Sequence, residues 1–191
     1  MSKGMVVSLR LTTPDDLDFV MQTEAAEQDS GTIGSWTRAE HQAAIESADM
    51  VHFIIERDTR TTQAGPFLDA PQAIRDQRPV GYLILQDMTN AHRNIQVRRI
   101  VVAEKGQGYG RQSLKLIKKI AFETYGAYRL WLDVKPYNSR AQSLYESEGF
   151  VVEGTLRDCV QLNESHQIYR DTGQQRTSLT LMSILRPEYE G

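Results

Sequence analysis

The segment Lys105-Gly106-Gln107-Gly108-Tyr109-Gly110-Arg111 sets three glycines between an apolar run ending at Ile100-Val101-Val102 and an amphipathic stretch. A strand, a glycine-rich bend and a helix N-terminus together make an anion site. Glycines let the main chain approach a phosphate, successive N–H groups converge on it, and the helix dipole adds positive potential. Arg111 offers a charged contact at the helix start. The alternative is a tight turn without a ligand, because glycine clusters alone produce false positives. Spacing tests the nucleotide readings. A dinucleotide fingerprint needs glycine or alanine at its third position, but counting from Gly106 reaches Arg111 and from Gly108 reaches Ser113. The phosphate loop of ATPases ends in Gly-Lys-Ser/Thr, whereas Gly110 precedes Arg111-Gln112. Both readings fail.

A second group of polar side chains follows. Tyr145 lies seven residues after Asn138, which returns it to nearly the same helix face and offers an amide and a phenol together. The competing readings are an ordinary N-cap for Asn138 and a packed ring for Tyr145. Other candidates carry less. His41, His52, His92 and His166 show no metal-ligand spacing, so no metal is expected. Cys159 sits in an apolar-alternating run and reads as a buried structural thiol. Lys115, Lys118 and Lys119 read as a solvated helix face opposite Leu114, Ile117, Ile120 and Ala121.

The elements that must position these residues are visible in outline. Strands are expected at Val6–Leu11, His52–Glu56, Val80–Gln86, Ile95–Val102, Arg129–Val134, Val151–Leu162 and Thr177–Leu185. Thr13-Pro14-Asp15-Asp16 starts one helix, and Thr37 with Glu40 forms a capping box for another. A third helix follows the glycine bend, and Ser139 to Glu148 makes a short fourth, stopped by Gly149. Arg57–Arg78 reads as a long polar connection and Asn163–Arg176 as a polar loop; both are candidates for acceptor selectivity. No linker divides the chain, so one α/β domain over residues 1–191 is expected.

Two motifs in this order resemble the GNAT superfamily of N-acetyltransferases. Its acetyl-CoA signature, Gln/Arg-x-x-Gly-x-Gly/Ala, falls on Lys105, Gly108 and Gly110, with Lys105 where Gln or Arg is usual. Its second element, Asn-x-x-Ala-x-x-Leu-Tyr-x-x-x-Gly-Phe, falls on Asn138, Ala141, Leu144, Tyr145, Gly149 and Phe150. From Arg98 to Asp158 the chain most resembles the branch of ribosomal-protein N-terminal acetyltransferases and related small-amine enzymes. The resemblance implies a mixed, mainly antiparallel sheet with splayed central strands flanked by helices. It implies acetyl-CoA as cosubstrate and a primary amine, on a small molecule or a protein N-terminus, as acceptor. Cofactor contacts are then expected from Ile100, Val101, Val102, Lys105, Gly106, Gln107, Gly108, Tyr109, Gly110, Arg111, Asn138 and Tyr145. Tyr145 is the expected acid for the departing thiolate. Related sequences often carry a glutamate where this chain has Gln96, so the base stays open; Glu24 and Glu56 are alternatives, each read more readily as a surface charge. A catalytically weak acyl-CoA sensor of the same fold is the rival function.

Composition agrees with a globular protein. Hydrophobic residues make up 40% and charged residues 25%, with a formal net charge of −3. That balance argues against nucleic acid as the main partner. The single cysteine allows no internal disulfide, and no stretch is apolar enough for a signal peptide or a membrane span. A cytoplasmic protein is expected, and an exposed C-terminal strand would favour a homodimer.

Overall fold

In a computed structural model, residues 6–28, 34–63, 72–162 and 167–191 are described. The apolar runs pair into one seven-stranded sheet: β1 (Val6–Leu11), β2 (Met50–Gln63), β3 (Gln72–Gln86), β4 (Asn94–Val102), β5 (Arg129–Val134), β6 (Val151–Gln161) and β7 (Arg176–Leu185). The order is β1-β2-β3-β4-β5-β7-β6, and every pairing is antiparallel except β4 with β5. The expected mixed sheet is present.

Both helix starts read from the sequence form as capped ends. The Asp16 carboxylate accepts from the Thr13 N–H at 2.8 Å ahead of α1 (Leu17–Gln28). At α2 (Arg38–Glu46) the box closes in both directions, Glu40 N–H to Thr37 Oγ1 at 3.2 Å and Thr37 N–H to Glu40 Oε2 at 2.6 Å. On the opposite face α3 (Tyr109–Lys119) runs into a π-helical turn, Ile120–Thr124. Leu114, Ile117, Ala121 and Phe122 bury there with Leu83, Leu85, Ile95, Val97, Leu130 and Leu132. Burying each of the leucine, isoleucine, valine and phenylalanine side chains among them contributes about 1.5–3 kcal/mol. Beneath α1, a smaller cluster joins Val20, Ile54, Tyr82, Ile84 and Val101. The remaining helices are α4 (Ser139–Ser147), α5 (Gln167–Thr172) and α6 (Arg186–Glu190).

One feature of the sheet makes the site. β4 and β5 pair in parallel only at Asn94↔Arg129, Ile95↔Leu130 and Gln96↔Trp131. Beyond Gln96 they part, and the backbone of Val97–Val102 faces a gap on the side away from β3. Against β3, β4 carries an extra residue, Arg98, between the pairs Leu85↔Val97 and Ile84↔Arg99. Such a bulge bends a strand and sharpens its twist, here at the place where β4 leaves β5.

Several sequence expectations are corrected. Most of the Arg57–Arg78 connection is strand, because β2 and β3 stay in register from Arg57↔Arg78 to Gln63↔Gln72. Only residues 64–71 of it lie outside the described residues. The Asn163–Arg176 loop contains α5, while residues 163–166 lie outside the described residues, His166 among them. Cys159 is exposed, because β6 is the last strand of the sheet and is bulged between Leu156 and Val160. The C-terminal strand β7 is not an edge; β5 and β6 flank it, so the edge at that end of the sheet is β6, with β1 at the other. Lys118 is not solvated, since its ammonium bonds the Glu148 backbone oxygen at 2.6 Å and carboxylate at 3.2 Å.

Candidate active site

The glycine bend has the geometry that an anion cradle needs. Gly106 and Gly108 adopt φ of +86° and +80°, and a Cβ at Gly106 would meet nothing within 4 Å. The left-handed backbone, rather than crowding, demands glycine there. Gly108 is the N-cap of α3, and among the described residues no side chain caps the first N–H groups of the helix. At Gly110 an added Cβ would reach Leu144 Cδ2 at 3.5 Å, ordinary contact between α3 and α4. The bend opens into a cavity of about 810 Å³ that occupies the gap between β4 and β5.

The expected contact residues mostly share that cavity. Ile100, Val101, Val102, Lys105, Gly106, Gly108, Tyr109, Gly110, Arg111, Asn138 and Tyr145 line it; Gln107 does not and is exposed. The Tyr109 ring is buried in the core, which leaves its backbone N–H to face the bend. Two of the cations are tied back. Lys105 bonds Glu27 at 2.6 Å, and Arg111 bonds Glu148 at 2.6 Å. Main-chain amides therefore carry more of the cradle than these side chains do.

Asn138 serves as both cap and cavity wall. Its Oδ1 accepts from Ala141 N–H at 3.2 Å, so the amide N–H groups are the part offered to the cleft. Tyr145, on α4, is buried against Phe150 with ring centroids 5.9 Å apart. Burial first, and the Asp133 charge second, push its phenol up to about 12, so it holds its proton at neutral pH. Gln96 is also buried and donates its amide to Asp133 Oδ2 at 2.9 Å.

On the α1 face a buried polar network stands behind the cleft. The Glu24 carboxylate accepts from Tyr82 at 2.7 Å, from Arg99 at 2.6 Å and from the Trp36 N–H at 2.9 Å. Glu24 is 1% exposed, which overturns the surface reading. Burial pushes its carboxyl up, but His41 at 3.4 Å, the Trp36 N–H, the Tyr82 hydroxyl and the charge of Arg99 outweigh it and hold the carboxyl below the usual range. Glu56 is half-buried and pairs with Arg10 at 2.7 Å. Arg98 and Arg99 both line the cavity, and Arg99 also stacks over Trp36 at 4.5 Å. His41 and His52 meet at 3.1 Å between Nδ1 and Nε2, and His52 Nδ1 meets Thr12 Oγ1 at 2.8 Å.

His52 gives this network a pH signature. Burial, then the neighbouring His41 charge, push it down to about 4 from 6.5. The unfolded chain therefore binds the proton first, and the stability held by neutral His52 is complete above about pH 6.5 and lost as pH falls through about 4. Between pH 7 and 5 the loss is about 2 kcal/mol, or about 4–8 °C in Tm for a chain of this size. Thermal melts of His52→Gln over that range are expected to show a slope shallower by that amount. An unchanged slope removes His52 from the account.

Comparison with known proteins decides the family. The model of the acetyltransferase (GNAT) family matches residues 26–150. This chain belongs to that family. Among curated relatives, an uncharacterized N-acetyltransferase of Mycobacterium tuberculosis is 32% identical over 84 residues, 44% of this chain and 53% of the relative. The chain thus spans about half the length of the curated relatives it matches. Among solved structures, spermidine N-acetyltransferase from Vibrio cholerae in complex with CoA and spermine superposes with a TM-score of 0.70. That match is 21% identical and covers 97% of this chain and 98% of the other. A dodecameric structure of the same Vibrio enzyme matches at 20% identity and TM-score 0.68, covering 96% and 95%. At these identities the likeness shows the GNAT fold.

Three groups at this site were missed from sequence. Glu148 anchors Arg111 and Lys118 from another helix, and no local spacing announces it. The His41–His52 contact joins residues on α2 and β2. Asp133 did carry a signal: it is a lone carboxylate among Leu130, Trp131, Leu132 and Val134.

Proposed function

We propose that this chain is an acetyl-CoA-dependent N-acetyltransferase. It moves the acetyl group to a primary amine of a small molecule or a protein N-terminus by direct attack, with no covalent enzyme intermediate, as a single domain over residues 1–191 acting in the cytoplasm. The observation that carries the reading is the gap between β4 and β5, with the glycine bend at one end and Tyr145 in its wall. The unfilled space at Gly106 and the uncapped start of α3 fit a diphosphate. When bound, the thioester supplies the activated acetyl group. The bend's N–H groups grip the diphosphate, and the gap-facing side of the Ile100–Val102 backbone, opposite its pairing with β3, bonds the pantetheine arm as an added strand would. The Asn138 amide steadies the same arm, and Tyr145 gives its phenolic proton to the leaving sulfur. No metal is required.

The acceptor is an amine, as for the spermidine-acetylating structures and for the ribosomal-protein branch that the Arg98–Asp158 stretch resembles. Exposed Val151, Val152 and Leu156 on the open edge strand β6 support self-association there. No helix among the described residues is long and apolar enough to cross a membrane. A second reading, a catalytically weak acyl-CoA sensor, draws on Gln96 standing where a carboxylate is common. Thiol release from acetyl-CoA, measured with and without spermidine or a serine-initiated peptide, separates the two. Amine-dependent release is the expected result. Binding of acetyl-CoA without it supports the sensor.

A further inference from the structure

We infer that the acceptor amine carries a carboxylate, and that Arg98 at the β4 bulge is the cation that binds it. The inference rests on the acetyltransferase reading and names a substrate class within it. Val97 and Ile100 both pack into the α3-side core, although residues three apart in a regular strand face opposite ways. The extra residue in β4 therefore turns Arg98 and Arg99 both away from that core, toward the α1 side of the sheet. The same side receives Asp133 and Lys135, because Leu130, Leu132 and Val134 alternate into the core. All four of these charged residues line the cavity. The glycine bend lies past Val102, so a cofactor held there and along Ile100–Val102 directs its thioester toward Arg98. The acceptor must reach that end of the gap.

The two arginines are not equivalent. Arg99 is committed to the protein itself: it bonds Glu24 at 2.6 Å and the Gly34 oxygen at 2.5 Å, and it stacks over Trp36. Arg98 is exposed in the cavity wall, and among the described residues its guanidinium makes no hydrogen bond or ion pair. Its charge acts on the Asp133 carboxyl, so the two groups are neighbours in the gap. Two other carboxylates line the cavity near the bend, and both are matched, Glu27 by Lys105 and Glu104 by Arg78. Among the described residues, Asp133 is then the single carboxylate set beside Arg98, Lys135 and Arg140.

A wall of that sign disfavours a polyamine. A polyamine keeps further ammonium groups after its reacting nitrogen is neutral, and here they meet cations. An amine with a carboxylate close by meets the opposite. Guanidinium and carboxylate form a charge-assisted, two-point contact that fixes the distance between anchor and amine. With Arg99 neutralised by Glu24, β4 offers one uncommitted charge, which suits a carboxylate better than a phosphate.

The test uses the full chain with acetyl-CoA and matched acceptors. Alanine is set against alaninamide, and a peptide beginning with serine and aspartate against one beginning with serine and asparagine; spermidine is the cationic comparison. Amidation of alanine lowers the pKa of its amine, which alone favours the amide, so amine basicity cannot produce the reverse preference. One charge-assisted contact is expected to give at least about a tenfold preference in kcat/KM for the carboxylate member of one pair, and over spermidine. The pair that shows it identifies the source, a free amino acid or a peptide. Arg98→Gln is expected to reduce that preference to within twofold. Arg98→Glu is expected to raise kcat/KM for spermidine, a gain that misfolding cannot produce. A preference under tenfold in both pairs, spermidine as the best acceptor, or rates unmoved by both Arg98 variants overturns the carboxylate site. Wild-type chain that fails to bind acetyl-CoA, or to release thiol with any acceptor, overturns the acetyltransferase reading beneath it. Binding with turnover of spermidine alone refutes the carboxylate site only.

Discussion

Tyr145→Phe is expected to lower kcat about a hundredfold while acetyl-CoA affinity stays nearly unchanged. The substitution removes one oxygen from a ring that is otherwise held by burial in the core and by Phe150. Packing is retained, so the cavity wall keeps its shape and the ground-state complex loses little. What is lost is a proton donor whose phenol, at about 12, stays protonated across the working range. A thiolate must then leave without a proton, and that cost appears only in the transition state, in kcat rather than Kd. Stopped-flow or steady-state thiol release, read beside calorimetric titration of acetyl-CoA, measures both quantities. Equal turnover by the variant removes the tyrosine from the chemistry. A matched loss of affinity assigns it to binding instead.

The residues that sequence made legible are those whose geometry is local. Gly106 and Gly108 follow a strand and open a helix, so their role depends on a few consecutive dihedrals. Asn138 and Tyr145 share one helix, whose periodicity fixes their relation. Both motif halves met in one cavity because β4 and β5 are adjacent, parallel and split. Residues whose environment is set by other elements were not legible. Glu24 lies on α1, and nothing in that helix reveals that Tyr82 and Arg99 will surround it from β3 and β4. The Cys159 reading failed for a related reason. Alternation marks a strand but not its place in the sheet, and β6 lies at the edge. The β2–β3 hairpin was hidden because Asp58–Gln63 is polar throughout; its register continues from the apolar pairs below, such as Ile54↔Tyr82. Gln96 stands where a carboxylate is common, and the sequence does not show that Asp133 is its hydrogen-bond partner.

Gly108→Val is expected to weaken acetyl-CoA binding by at least about tenfold, with the loss in Kd. Two effects act together. At φ +80° a β-branched residue is strained by about 1–3 kcal/mol, and the bend relieves that strain by rotating its amides away from the position they hold at the α3 N-terminus. The added methyl groups also stand where a phosphate must approach the main chain closely. A loss of about 1.4 kcal/mol already corresponds to tenfold in affinity. Strain alone is controlled by Gly126→Val. Gly126 has φ +66°, has open space around it and does not line the cavity. This control carries a comparable conformational penalty and is expected to lower Tm while leaving Kd unchanged. If both variants bind acetyl-CoA as wild type does, the diphosphate is not held by this bend. If both lose binding equally, the effect is one of stability rather than of the cradle. Loss confined to Gly108→Val ties affinity to the main-chain amides that follow β4, where the sheet opens and α3 begins.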